Sequence, residues 1–366
     1  MPRTGIGHYT FELARSLAIL SPADDFHLIS PFALDASIEE ELARDAPANL
    51  RGLRPSQSLL HRRWWAIGLP LYLRQARISL FHGTNYEIPL WGKQATVATI
   101  HDLSILLHAD KHLEQLARRA RRRLPLMARK ASKIITATES VKREICEHLR
   151  VSPNKIAVTP YAPRRSFRPV PSQETVETRR RLGVEDEFIL FVGTIEPRKN
   201  LLTLARAFDE LMRRTEQRPQ LVITGREGWL VDELYSFIEQ AGIRDRMLFT
   251  GYVAEDDLRA LYSSCLVMVY PSLYEGFGLP PLEAMACGAP VITSNIQTIL
   301  ETVGEAARVV SPTDHQELAR TILEVIEHEE ERTRLKSAGL KRAAEFSWEK
   351  TALLTMEVYM EVLGRK

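Results

Sequence analysis

Cysteine is scarce in this chain: Cys146, Cys265 and Cys287 are the three among 366 residues, and none stands at a paired or metal-ligand spacing. That excludes a disulfide framework and a cysteine-built zinc site, and it suits a reducing compartment with each thiol as buried filler. No apolar run approaches the roughly 20 residues of a membrane span, and no basic-then-apolar leader opens the chain, so the reading is a cytoplasmic protein. Fixed-period repeats and low-complexity tracts are also missing. Basic residues do not alternate with aromatics and match no known binding motif, so nucleic acid is not an expected partner.

What is present is ordinary in amount and uneven in placement. Apolar residues make up 45% and charged residues 26%, the values of a globular protein. A chain of 366 residues is long for a single core, and two α/β domains are the natural expectation. Residues 1–170 hold 26 Lys and Arg against 15 Asp and Glu, a balance of +11; the remainder holds 23 against 32, a balance of −9, which leaves the formal +2 of the whole. A basic first half points to an anionic partner, such as a phospholipid surface or a lipid-diphosphate acceptor. Arg118, Arg119, Arg121, Arg122 and Arg123 form its densest cluster, which reads equally as a solvated helix face. Trp64 and Trp65, behind His61, Arg62 and Arg63, fit helix packing first and a dip into a membrane interface second.

Short β-rich apolar runs alternate with helical patterns along the whole chain, the grammar of parallel α/β units. Strands are expected over 26–30, 78–82, 96–100, 134–138 and 156–159, with helices over 7–20 and 113–130. A proline-rich basic stretch over 160–171 interrupts the periodicity and reads as the interdomain linker. Strands are expected again over 188–193, 221–225, 247–251, 266–270 and 291–293, and a last helix over 348–363 is expected to cross back onto the first domain. The division is therefore 1–168, 169–346 and a returning helix over 347–366.

The most informative stretch runs Glu275-Gly-Phe-Gly-Leu-Pro-Pro-Leu-Glu283, directly after an expected strand end. Gly276 and Gly278 let backbone approach a ligand closely near a helix N-terminus, where phosphate or sugar hydroxyls are well received. Glu275 and Glu283 stand eight positions apart, one before the turn and one in the helix, so they suit different parts of one extended ligand. A second stretch, Phe191-Val-Gly-Thr-Ile-Glu-Pro-Arg-Lys-Asn200, sets Arg198 and Lys199 after a glycine turn at a strand end. Two fixed cations there suit a diphosphate leaving group, work otherwise given to Mg²⁺. In the first half, an apolar strand runs straight into His101 and Asp102, and Gly5-Ile6-Gly7 opens the first helix.

These segments resemble the family 4 glycosyltransferases, whose Glu-x7-Glu motif matches Glu275 and Glu283. The resemblance runs from Thr4 to about Leu363 and implies the GT-B fold, two Rossmann-like domains facing across a cleft. It implies that Glu275 contacts the donor sugar, that Glu283 binds the ribose, and that Phe277, Gly278 and Leu279 line the sugar and phosphates. It further implies donor contacts from Gly193, Glu196, Gly225 and Val253, a catalytic Arg198/Lys199 pair with no metal or other cofactor, and an active-site role for His101. Gly5 and Gly7 match the family's glycine loop, and Asp102 is a candidate to orient His101 or hold an acceptor hydroxyl. The phrases Thr-Ile-His-Asp-Leu-Ser and Gly-Thr-Ile-Glu-Pro-Arg-Lys-Asn resemble bacterial surface-polysaccharide mannosyltransferases most. The implied reaction is retaining transfer of a hexose from a nucleotide-sugar, GDP-mannose ahead of a UDP-sugar, to a glycan or lipid-linked acceptor. Peripheral contact with the inner membrane face would accompany it.

Three departures stand out. Relatives open with a short apolar strand before the glycine loop, whereas this sequence opens Met1-Pro2-Arg3-Thr4, so a central first strand is expected to be missing. Pro160-Tyr-Ala-Pro-Arg-Arg165 replaces an Asn-Gly-Val-Asp turn, a change expected to touch the acceptor side or the hinge. Leu300 replaces a proline in Thr298-Ile-Leu-Glu301, beside the expected donor pocket. Among rival functions, a nicotinamide oxidoreductase would need a third glycine where Thr10 stands. An epimerase of the same plan would release free nucleotide without an acceptor product. A silent sugar-nucleotide-binding subunit would bind donor without turnover, whatever happens at Glu275.

Overall fold

The computed structural model describes residues 5–30, 46–53 and 64–365; Met1–Thr4 and the His61–Arg63 triplet before Trp64 lie outside the described residues. The chain divides into two compact units, residues 1–162 with 346–366, and residues 163–345. The division falls at Ala162/Pro163, short of the expected 168, because Arg164, Ser166 and Phe167 bond and pack within the second unit.

The second unit is built on one parallel sheet of β7 (Phe188–Val192), β8 (Gln220–Thr224), β9 (Met247–Gly251), β10 (Val267–Tyr270), β11 (Val291–Ser294) and β12 (Arg308–Val310). Its order is β12-β11-β10-β7-β8-β9, the doubly wound arrangement. Phe-Ile-Leu-Phe-Val in β7 and Val-Met-Val-Tyr in β10 are near-continuous apolar runs because helices cover both faces of the sheet, and Phe188, Ile189, Leu190 and Phe191 are fully buried. β7 and β10 are parallel neighbours although two strands separate them in sequence, so the direction in which successive strands are added to the sheet reverses at that pair. In such sheets the crevice at the carboxyl ends of the two switch-point strands is where ligands bind. β12 was not expected from the sequence: three residues beginning with an arginine carry little strand signal.

The first unit carries β1 (Phe26–Ile29) paired with β2 (Leu50–Leu53), and a separate parallel sheet of β3 (Leu80–Gly83), β4 (Ala95–Thr99), β5 (Lys133–Thr136) and β6 (Ile156–Val158) in that order. β2 is a second strand the sequence reading missed. Residues 1–4, where the expected first strand would stand, lie outside the described residues. A cavity of about 1150 Å³ is lined by β1 residues Phe26 and Leu28, β3 residues Leu80 and His82, and Leu13 and Leu17 of the helix Gly5–Leu20. The last helix, Trp348–Leu363, lies on this unit: Val358 packs with Val97 and Ile135, and the Thr351 hydroxyl donates to the Pro160 carbonyl at 2.7 Å. No described helix is long and apolar enough to cross a membrane.

Candidate active site

Arg198 and Lys199 occupy the loop at the carboxyl end of β7, in a single 3₁₀ turn, Pro197–Lys199. The turn ends on Asn200, whose left-handed backbone (φ 60°) an asparagine tolerates better than most residues. The Asn200 amide donates to the carbonyls of Pro271 and Pro312 at 2.9 and 2.6 Å, and the Leu273 N–H donates to the Arg198 carbonyl at 2.9 Å. The cation turn is thereby stitched to the loop that follows β10.

That second loop brings Glu275 onto both cations. Lys199 Nζ lies 2.5 Å from Glu275 Oε1, and Arg198 Nη1 lies 3.0 Å from Oε2. Tyr270, the last residue of β10, donates its hydroxyl to Glu275 Oε1 at 3.0 Å and accepts from Lys199 at 2.5 Å. Glu196 takes the other arm of Arg198, Nη2 to Oε1 at 2.6 Å. Lys199, Glu196 and Glu275 are all buried. Burial alone would raise the Glu275 pKa; Arg198 and Lys199 outweigh it and hold the carboxyl at about 2. Burial likewise lowers the Lys199 ammonium, against the pull of Glu275. The result is a buried cluster of Arg198 and Lys199 with Glu196 and Glu275, held in fixed geometry by its own ion pairs, which is the condition for electrostatic stabilisation without reorganisation.

Glycines hold the walls together. A Cβ on Gly225 would fall 1.9 Å from the Gly193 carbonyl oxygen, so the β8 exit loop can pass the β7 loop only as glycine. Gly278 (φ 89°) caps the helix Leu279–Ala286 and faces Ile299. Pro280 and Pro281 in the first turn carry no N–H, so they leave Leu279 as the donor at that helix start without stranding others. The Thr298 and Thr302 hydroxyls donate to the carbonyls of Glu275 and Phe277 at 2.6 and 2.5 Å, which fixes the Glu275–Gly278 loop. Leu300, one of the sequence departures, lies in the same helix, Gln297–Val303, yet the two threonines carry this bonding. Val253 is buried just after the left-handed Gly251 (φ 69°).

Glu283 sits apart from this cluster and pairs with Arg164, Nε to Oε1 at 2.9 Å and Nη2 to Oε2 at 3.4 Å. Burial drives its pKa up, opposed by that guanidinium.

The first unit holds His101, Gly5 and Gly7. His101 follows β4 and is buried, with Nε2 at 2.8 Å from the Thr84 carbonyl and Nδ1 at 2.6 Å from the Tyr161 hydroxyl. A carbonyl only accepts, so Nε2 carries the proton and Nδ1 accepts from Tyr161. Rings of Tyr9, Tyr86 and Tyr161 surround it, and burial lowers its pKa, so the imidazole is neutral. Asp102, a candidate to orient His101 or hold an acceptor hydroxyl, accepts the Ser104 N–H at 2.8 Å, while the His101 ring bonds Tyr161 and Thr84. Gly5 and Gly7 form the first turn of the first helix.

Four partners of the candidate site residues were not among the residues singled out from the sequence. Tyr270 bridges Lys199 and Glu275, Asn200 ties the two loops, Tyr161 orients His101, and Arg164 holds Glu283. Asn200 lies inside a quoted motif, and Tyr161 and Arg164 lie inside the departing segment Pro160–Arg165. Among the described residues no group of three His, Cys, Asp or Glu stands together as a metal site.

Residues 3–162 match the family described as Glycosyltransferase Family 4, and residues 173–342 match Glycosyl transferases group 1. The chain is 31% identical to the O-antigen chain mannosyltransferase B of Escherichia coli, over 98% of this chain and 96% of that protein. It is 33% identical to the serotype-specific mannosyltransferase WbdA of Escherichia coli over 78% of this chain, but spans only 36% of that longer protein. Among solved structures, Anabaena HepE with UDP and glucose superposes with a TM-score of 0.76 at 18% identity, covering 98% of this chain and 96% of that one. Sucrose-phosphate synthase from Thermosynechococcus elongatus gives 0.76 at 20% identity, with 99% and 94% covered. The fold is thus the GT-B fold, and the chain belongs to the family 4 glycosyltransferases.

Proposed function

We propose that this glycosyltransferase moves mannose from GDP-mannose to a glycan or lipid-linked acceptor in surface-polysaccharide synthesis, with retention at the anomeric carbon and without a metal. The observation that carries the proposal is the Arg198–Lys199–Glu275 cluster at the carboxyl ends of β7 and β10. The cations receive the donor diphosphate and stabilise charge as the sugar–phosphate bond breaks. Glu275 is the donor-sugar ligand and the anchor of both cations. Gly193, Glu196, Gly225, Val253, Gly276, Phe277, Gly278 and Leu279 line the donor, and Glu283 takes the ribose. The new bond forms from the acceptor oxygen to the anomeric carbon on the face the phosphate leaves, and the acceptor proton passes to the departing diphosphate. His101 contributes a neutral ring near the transferred sugar, and Gly5 and Gly7 give backbone room beside it.

The names of the mannosyltransferases similar to this chain support mannose and polysaccharide synthesis. The basic helix Glu114–Lys130 supports peripheral contact at the inner membrane face: Arg121 and Arg122 make no ion pair among the described residues, and Leu116 and Leu126 are exposed beside them. The test is transfer from ¹³C-labelled GDP-mannose to lipid-linked acceptors, with the anomeric configuration of the product read by NMR. An α-mannosyl product formed in the presence of chelator upholds the proposal. An inverted product, or turnover only with a UDP-sugar, refutes the corresponding part.

A further inference from the structure

The loops that leave β7, β8 and β9 run side by side at the carboxyl end of the second unit's sheet. The Ile195 N–H donates to the Arg226 carbonyl at 2.9 Å, and the Gly228 N–H donates to the Ile195 carbonyl at 3.0 Å. On the other side, the Gly225 N–H donates to the Gly251 carbonyl at 2.9 Å. Arg226 is thereby pinned through its backbone to the loop that carries Arg198 and Lys199, and Tyr252 follows Gly251 directly. At the left-handed Gly251 (φ 69°) the chain turns off its strand; Val253 is buried, whereas Tyr252 is 50% exposed.

The Arg226 side chain is exposed as well, and its guanidinium carbon lies 5.5 Å from the centre of the Tyr252 ring, a cation–π contact. Among the described residues its five N–H donors bond no carboxylate and no carbonyl. Glu275, the donor-sugar ligand of the proposed function, reaches Arg198 and Lys199 from the β10 side, and β8 and β9 lie on the other side of β7. The sugar and the nucleoside hang from opposite ends of a diphosphate. With the sugar towards β10, the nucleoside extends over the exits of β8 and β9, where the aromatic ring and the unbonded fork stand. Glu283, the proposed ribose ligand, is tied through Arg164 to Glu255, which opens the helix just past Tyr252, so ribose and base fall on neighbouring ground.

We propose that Arg226 and Tyr252 form the nucleobase subsite and that Arg226 sets its preference for guanine. The proposal rests on the reading of Arg198 and Lys199 as the diphosphate site. Tyr252 offers an aromatic face on which either base stacks. Guanine carries two acceptors, O6 and N7, side by side on one edge, and a guanidinium fork meets them with two bonds. Uracil has a C–H beside its O4 where guanine has N7, so the same fork makes one bond with it at most.

The test is equilibrium binding of GDP, UDP and the 7-deaza form of GDP, in which a C–H replaces N7. Each is titrated into the full chain and into Arg226→Ala, Arg226→Lys, Tyr252→Ala and Arg198→Ala, with circular dichroism as the folding control. Wild type binds GDP at least about fivefold more tightly than UDP or the 7-deaza form. In Arg226→Ala both ratios fall towards unity. Arg226→Lys keeps the charge without the fork and loses the N7 discrimination too. Tyr252→Ala weakens GDP and UDP together, by about fivefold or more. Ratios that survive intact in Arg226→Ala overturn the inference, as does undiminished binding of both nucleotides by Tyr252→Ala. A wild type that prefers UDP overturns the guanine preference together with the assigned donor. Undiminished binding of both nucleotides by Arg198→Ala overturns the diphosphate reading, a separate failure.

Discussion

Lys199 and Glu275, 76 residues apart in sequence, meet at 2.5 Å with both side chains buried, each neutralising the charge that the other could not carry alone in that setting. The pair joins the loops after β7 and β10, the parallel neighbours at which the order of strand addition reverses.

Breaking this pair from one side should be costly. Glu275→Ala leaves Lys199 and Arg198 with one fewer counter-charge in a dry site, a loss of about 3–5 kcal/mol typical of a broken buried pair. Urea unfolding followed by a probe in the second unit checks this. Transfer activity should fall by roughly a hundredfold or more in the same variant, because the fixed cations lose their orientation. A stable Glu275→Ala with unchanged turnover would remove the cluster from the mechanism.

Acid should act on the two units in different pH ranges. His82, bonded to the hydroxyls of Tyr359 and Thr99 at 2.6 and 2.7 Å, is lowered by burial, and then by His101, from 6.5 to about 3. A depressed folded pKa means that its stabilisation is complete above 6.5 and drains as pH falls towards 3, by up to about 1.4 kcal/mol per pH unit. Glu275, lowered from 4.5 to about 2, keeps its contribution until pH falls below 4.5. Hydrogen exchange should therefore show β3–β6 loosening at milder acidity than β7–β10. His82→Gln should flatten the first unit's loss between pH 6.5 and 4.5.

Much of the second unit was legible because its strands are apolar runs ending in glycine or small polar residues, as in Phe188–Val192 before Gly193. β2 and β12 were not, since Leu-Arg-Gly-Leu and Arg-Val-Val mix charge or glycine into very short strands. Of the site, Arg198, Lys199, Glu275 and Glu283 could be read from local spacing around turns. The partners Tyr161 and Arg164 could not, because each meets its target 60 and 119 residues away, and nothing local to Pro160–Arg165 encodes that register. Asp102, left open between orienting His101 and holding an acceptor hydroxyl, bonds the N–H two residues on, a local contact that short acidic side chains favour.

Gly225→Ala should be among the most damaging small substitutions in the chain. The added methyl would sit 1.9 Å from the Gly193 carbonyl oxygen, and the backbone at φ 147° disfavours any side chain. The expected cost is about 2 kcal/mol or more, since backbone must shift at both loops. Thermal unfolding and donor affinity should fall together; a wild-type Tm would contradict the close approach.

Charge on the helix Glu114–Lys130 should matter to a membrane and not to donor binding. Reversing Arg121 and Arg122 to glutamate should weaken binding to vesicles containing phosphatidylserine by at least about 1 kcal/mol per position, in a salt-dependent manner. Vesicle co-sedimentation measures it. Equal binding of wild type and the double variant would return this helix to the role of a solvated face.

The most direct test of the account is titration calorimetry of the chain with GDP-mannose, GDP-glucose and UDP-glucose, in chelator, alongside Arg198→Ala. The account predicts selective binding of GDP-mannose without metal and loss of about tenfold or more in affinity when Arg198 is removed. Preference for UDP-glucose would contradict the assigned donor, and undiminished binding by Arg198→Ala would contradict the diphosphate site at the β7–β10 switch point.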